Sequence, residues 1–182
     1  MVEDLRWFGL CWQEGPDCGG PCAPYVQSQR LDTYRTVFDL LRRQGSIYPC
    51  SCSRKDVASS LAAPHQGEEE PVYPGRCRPE LGQPVVLAIG SLVRDQSGRR
   101  VNWRFRVNDG ESIRFTDHGF GPQEFVAGRD FGDFVVWRAD GFPSYQLAVV
   151  ADDHTMGITE VVRGADLLIS TARQLLLYRA LG

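Results

Sequence analysis

A chain of 182 residues, 42% apolar and 24% charged, is long enough to bury a real core as one or two domains. A net charge of −3 excludes binding to nucleic acid by bulk electrostatics alone, though not a shaped RNA site. No apolar run approaches the roughly 18 residues of a spanning helix, and no charged-then-apolar leader opens the chain. A reducing cytosol is therefore expected, so the six cysteines do not read first as disulfides.

In chain order, Met1–Trp12 reads as the end of an amphipathic helix turning at Gly9. Gln13–Pro24 is a Gly/Pro loop around Cys18 and Cys22. Ser28–Gln44 predicts a helix with Tyr34, Val37, Phe38, Leu40 and Leu41 on its apolar face, ended by Gly45. Tyr48–Cys52 is short and extended, and Ser53 or Asp56 opens a helix through Leu61. Pro64–Pro71 is an acidic loop, and Val85–Ile89 reads as a strand. Val101, Trp103, Phe105 and Val107 alternate with Asn102, Arg104 and Arg106, which predicts a strand with one wet face. Asn108-Asp109-Gly110 has hairpin chemistry, with Ile113–Thr116 as the return strand. Asp130–Arg138 is a further strand.

Phe142–Asp166, FPSYQLAVVADDHTMGITEVVRGAD, organises the remainder. It reads as two buried strands, Tyr145–Val150 and Ile158–Val162, around an acidic turn. A helix follows, with Thr171 and Gln174 in a capping-box pattern. Strand, turn, strand and helix at this scale predict α/β architecture, with ligands at the carboxyl ends of strands.

Cys50-Ser51-Cys52 with Cys77 supplies three zinc-type ligands, and a tetrahedral site needs a fourth, for which Tyr73 and His65 are the local candidates. Three free, mostly buried cysteines are the alternative. Cys11, Cys18 and Cys22 make a weaker set with no histidine near. Asp152-Asp153-His154 reads as a divalent-ion or catalytic cluster, or as a polar turn bonded to backbone, the second being favoured. Arg163, beside Gly164, needs an anionic partner, either Asp166 or a substrate carboxylate. There is no G-x-x-x-x-G-K-[ST], G-x-G-x-x-G or G-x-S-x-G motif, and Lys55 is the only lysine.

YQLAVVADDHTMGITEVVRGADLLISTARQLLLYRALG resembles the second half of the catalytic domain of the glutamyl-tRNA synthetase group of class I aminoacyl-tRNA synthetases. DLRWFGL and PYVQSQRLDTYR resemble the segment before that domain's insertion. YPCSCSR, AAPH and VYPGRCR resemble the zinc-binding insertion of the group's short glutamyl-Q branch. The resemblance implies a Rossmann-type α/β catalytic domain interrupted by a zinc-containing α+β insertion. It divides the chain into residues 1–44, the insertion 45–139, and 140–182. It implies one zinc on Cys50, Cys52, Tyr73 and Cys77, with Tyr73 ahead of His65. It implies that Tyr145 and Arg163 hold glutamate, and that ATP and tRNA(Asp) are the other partners. Glutamate would be activated with ATP and placed on queuosine in that tRNA by a cytoplasmic enzyme, a monomer as in the family. RFRVNDGESIRFTD resembles the part that meets the tRNA acceptor end, with Arg54, Arg76 and Arg78 as phosphate contacts.

The family's HIGH-like motif, R-x-E-D segment and lysine-bearing KMSKS-like loop have no counterpart in this sequence. Catalytic residues are therefore not assigned. The expectation is an incomplete domain, with Met1 as an internal methionine and the first strands lacking, that does not form glutamyl-adenylate by itself. A portion of a full glutamyl-tRNA synthetase is the second reading. A stand-alone zinc-stabilised RNA-binding module is the third.

Overall fold

The computed structural model describes residues 2–59, 72–80, 94–95 and 98–182. The expectations for His65, for Pro64–Pro71 and for a strand at Val85–Ile89 lie outside them. The elements are α1 (Val2–Trp7), α2 (Leu31–Arg43), β1 (Ile47–Cys50), α3 (Arg54–Ser59), β2 (Asn102–Phe105), β3 (Ser112–Asp117), β4 (Gly121–Val126), β5 (Phe134–Trp137), α4 (Tyr145–Met156) and α5 (Leu168–Leu181).

Three strands form one antiparallel sheet in the order β1-β2-β5, with Ile47 opposite Phe105 and Phe105 opposite Phe134. A separate antiparallel pair, β3-β4, places Ser112 opposite Val126. No parallel strand pair occurs among the described residues. The turn at Asn108–Gly110 has hairpin chemistry but does not join paired neighbours. It carries the chain from one sheet to the other, where β4, absent from the sequence reading, is the partner of β3.

Tyr34, Phe38 and Leu41 recur at four- and three-residue spacing on α2 and are fully buried. Phe38 meets Trp103 edge-on at 5.1 Å and Trp137 at 5.0 Å, which fastens α2 to the sheet. α4 and α5 pack on each other and on α2, so the core lies between this helical layer and β2-β5.

Tyr145–Val150 is a helix, not a strand. Ser144 caps α4, its Oγ accepting the Leu147 amide, and Gly157, at φ +65°, ends it in the left-handed conformation that glycine adopts without strain. The misreading has a physical cause. Gln146, Leu147, Ala148, Val150 and Ala151 are all buried, so the helix is apolar on several sides and loses the 3.6-residue stripe. Ile158–Val162 forms no strand either. It is irregular, with Ile158, Val161 and Val162 exposed, because β-branched residues make a strand only where a neighbour pairs with them. The final helix begins at Leu168, three residues before the proposed cap.

The acidic cluster at the end of α4 has separated roles. Asp152 accepts Arg30 Nε at 2.6 Å, Tyr34 Oη at 2.8 Å and Gln27 Nε2 at 3.3 Å. It is thus the anchor between α2 and α4, not a metal ligand. His154 points to solvent.

Candidate functional site

Two places gather chemistry-bearing groups. The first is the end of β1 with the 72–80 segment. The Sγ atoms of Cys50, Cys52 and Cys77 lie within 4.8 Å of one another, the one such group among the described residues. Cys52 and Cys77 are 3.4 Å apart, and Tyr73 Oη lies 3.3 Å from Cys50 Sγ and 3.8 Å from Cys52 Sγ. A tetrahedral zinc with Zn–S near 2.3 Å separates its sulfurs by about 3.8 Å. Three thiols and a phenol at these spacings fit that ion. Burial, then the hydrogen bond with Cys77, pushes the Cys52 thiol up to about 11. Burial also raises Tyr73. Cys11, Cys18 and Cys22 do not assemble. Cys11 and Cys18 are exposed, and Cys22 Sγ faces the Thr155 carbonyl at 3.9 Å.

The backbone holds Tyr73 closely. A Cβ at position 132 would sit 2.8 Å from both the amide nitrogen and the carbonyl oxygen of Tyr73, so only glycine lets β5's approach run this near. One residue on, Asp133 is wholly buried and fully used. Its carboxylate accepts Arg78 Nε at 2.7 Å, Arg78 Nη2 at 2.8 Å, the Val107 amide at 2.9 Å and Tyr48 Oη. Arg78 also forks onto Asp109 at 2.6 and 3.1 Å. Arg78 is therefore a structural clamp, and the expectation that it contacts phosphate is corrected, because both edges of its guanidinium are occupied. Arg76 is exposed. The expected wet face of β2 is also corrected. Arg104 is 9% exposed and stacks on the Tyr73 ring at 4.0 Å. The sequence held one signal for this cluster: Asp133 interrupts the apolar run Phe131–Trp137. Asp133→Asn keeps the shape but gives up charge-assisted bonds, while Arg78 retains Asp109. Urea unfolding should show a loss of about 1.5–3 kcal/mol.

The second place is a cleft of about 740 Å³ between the β3–β4 turn, residues 117–120, and the 158–165 segment with α5. Arg163 lies in its wall. Its Nη1 donates to Gln174 Oε1 at 2.8 Å and its Nη2 to Thr171 Oγ1 at 2.5 Å. The two residues read as a helix cap thus hold the arginine instead. Neither partner is charged, and Asp166 is not among them. Asp153 and Tyr178 share the wall. Burial and then Asp152's charge raise the Asp153 carboxyl, with Arg163 opposing.

Tyr145 is half exposed at the first turn of α4 and is not part of the cleft wall. Its neighbour in sequence, Gln146, connects to Arg163 through buried amides. Gln174 Nε2 donates to Gln146 Oε1 at 3.0 Å, and Gln146 Nε2 to Ser170 Oγ at 2.9 Å. This relay, which sequence reading missed, fixes the side of Gln174 that meets the guanidinium.

No helix among the described residues is long and apolar enough to cross a membrane. Among curated proteins, the chain is 49% identical to a glutamyl-Q tRNA(Asp) synthetase of Nitratidesulfovibrio vulgaris, matching 100% of this chain and 54% of the relative. It is 50% identical to one of Symbiobacterium thermophilum over the same shares. A glutamate–tRNA ligase of Symbiobacterium thermophilum is 42% identical, over 100% of this chain and 36% of that protein. The chain thus spans about half the length of the glutamyl-Q relatives it matches. A crystal structure of a glutamate tRNA ligase from Elizabethkingia meningosepticum superposes with a TM-score of 0.76 at 28% identity, covering 99% of this chain and 36% of that one. The model of the class I tRNA synthetase catalytic domain for E and Q matches residues 1–182. With an α/β fold of that type and ligases of that kind as its relatives, the chain belongs to the class I glutamyl- and glutaminyl-tRNA synthetase family.

Proposed function

We propose that this chain serves the ATP-dependent activation of glutamate and its transfer to queuosine in tRNA(Asp), in the cytosol. The observation that carries the reading is Arg163, a guanidinium held in a cleft wall by hydrogen bonds to two neutral side chains. Its charge is left to meet a carboxylate of the substrate. Tyr145 stands at the head of the helix whose Gln146 braces that arginine through Gln174, outside the wall of this cleft, and its part in holding glutamate is proposed from the family resemblance alone. ATP is the second substrate, in keeping with the family. The identities near 50% to glutamyl-Q relatives, against about 40% to glutamate–tRNA ligases, favour tRNA(Asp) over tRNA(Glu).

In this reading residues 1–44 and 140–182 belong to the two halves of the catalytic domain, and 45–139 form an insertion directed at the tRNA. Cys50, Cys52, Tyr73 and Cys77 hold one zinc, which ties the insertion's loops together. The residues on the chemistry side bind and orient. Arg163 fixes the carboxylate, Thr171 and Gln174 fix Arg163, and Ser170 fixes Gln146.

A chimera tests the reaction, with this chain replacing the matching half of the Nitratidesulfovibrio vulgaris relative. With ATP and labelled glutamate, label should appear on queuosine-containing tRNA(Asp) and not on tRNA(Asp) lacking queuosine. Label on tRNA(Glu) instead would make the chain part of a glutamate–tRNA ligase. No label from a folded chimera would reject both.

A further inference from the structure

We propose that Arg104 is the counter-charge of the Cys50–Cys52–Tyr73–Cys77 metal site and sets its affinity for zinc. The inference rests on the zinc reading above and goes beyond the ligands themselves. Arg104 is buried at the centre of β2, and no carboxylate lies within ion-pair distance of it among the described residues. Its Nη1 donates to a neutral acceptor, the Asp133 carbonyl, at 2.8 Å. Its Nε has no hydrogen-bond partner among the described residues. Its Cζ lies 4.0 Å from the centroid of the Tyr73 ring.

A buried cation without an anion is costly, because several kcal/mol of hydration are lost with no Coulomb return. The neighbouring acid is already paired with another arginine and makes no ion pair with Arg104. Asp133 spends its carboxylate on Arg78, Tyr48 and the Val107 amide. The missing anion is present if the metal site is loaded. Three thiolates around a divalent cation leave one net negative charge, even with Tyr73 bound as a neutral phenol. That centre is itself half-buried to buried and needs a cation nearby. Arg104, stacked face-on against one ligand, supplies it, and the stack also fixes the plane of the Tyr73 ring. Each charge removes the other's desolvation penalty.

The test uses the 182-residue protein and its Arg104→Met and Arg104→Lys variants. Zinc affinity is measured by competition with a chromophoric chelator, and stability by urea unfolding with and without metal. Arg104→Met should weaken zinc by about 10- to 100-fold, the range for loss of a group supporting a metal ligand. Arg104→Lys, which keeps the charge, should recover most of the affinity. In the metal-free protein Arg104→Met should be as stable as the parent or more so, since an uncompensated charge has been removed. A purely packing role would instead lower stability with and without metal, and would weaken zinc equally in both variants. Either of those results, or unchanged affinity in Arg104→Met, overturns the proposal while leaving the zinc site intact. A parent that binds no zinc overturns the metal reading and this one together.

Discussion

Cys77→Ser should strip the bound zinc and unfold the knuckle built from residues 47–59 and 72–80, while the α2–α4–α5 core stays folded. The knuckle's own apolar cluster is small: Tyr48, Cys50, Val57 and Tyr73, with Cys52 and Cys77 packed against it. It is separate from the main core around Phe38, Trp103, Trp137 and Leu147. A cluster of that size cannot offset the ordering of its loops. Structural zinc in small modules is worth about 10–16 kcal/mol of apparent folding free energy, so metal loss should dominate any packing effect of the substitution. Protein purified under reducing, chelator-free conditions should carry one equivalent of zinc, and amide exchange should accelerate in the knuckle alone in the variant. Acidification should release the metal. Burial holds the Cys52 proton on up to about 11 in the metal-free site, so binding expels protons and weakens as pH falls. Less than about a tenth of an equivalent of zinc in the parent protein would refute the assignment.

The knuckle was more legible than the segment that names the family. Cys-x-Cys followed by Tyr-x-x-x-Cys is a local pattern, and the structure brings all four side chains together, the set the family resemblance implied, whereas spacing alone left the fourth open between Tyr73 and His65. Helices with one apolar face, such as α2, were equally plain in the sequence. Tyr145–Val150 was not, because a helix buried on most sides loses its periodicity and looks like a covered strand. Ile158–Val162 failed for the complementary reason: its residues favour a strand, but pairing is decided by what lies beside it. Long-range polar placement was the least visible. Nothing near Arg78 in sequence shows that Asp109 and Asp133 will occupy it, and nothing near Arg104 shows that it will lie on Tyr73. Such contacts depend on register between β2 and β5, which local pattern does not encode.

Arg163→Ala should abolish the recognition of glutamate. The arginine donates to two neutral side chains on α5, and among the described residues it makes no ion pair, although Asp153 shares the cleft wall. A substrate carboxylate would gain a charge-assisted pair with a donor already oriented, so little ordering cost is left at binding. Losing such a pair costs about 2–5 kcal/mol, roughly thirtyfold or more in affinity. The substitution should leave the fold intact, since Thr171 and Gln174 border the cleft and the Gln174–Gln146 bond persists without the arginine. Lysine should rescue only partly, because it cannot place donors on Thr171, Gln174 and the ligand together.

The most direct measurement is a calorimetric titration of the zinc-loaded protein with L-glutamate and, separately, L-glutamine. The two ligands differ only in the side chain, carboxylate against carboxamide, and the side-chain carboxylate is the one proposed to meet Arg163. The expected result is saturable glutamate binding, with glutamine weaker by roughly thirtyfold or more, and no such preference in Arg163→Ala. Equal affinity of parent and Arg163→Ala for glutamate, or no saturable glutamate binding by the folded parent, would contradict it.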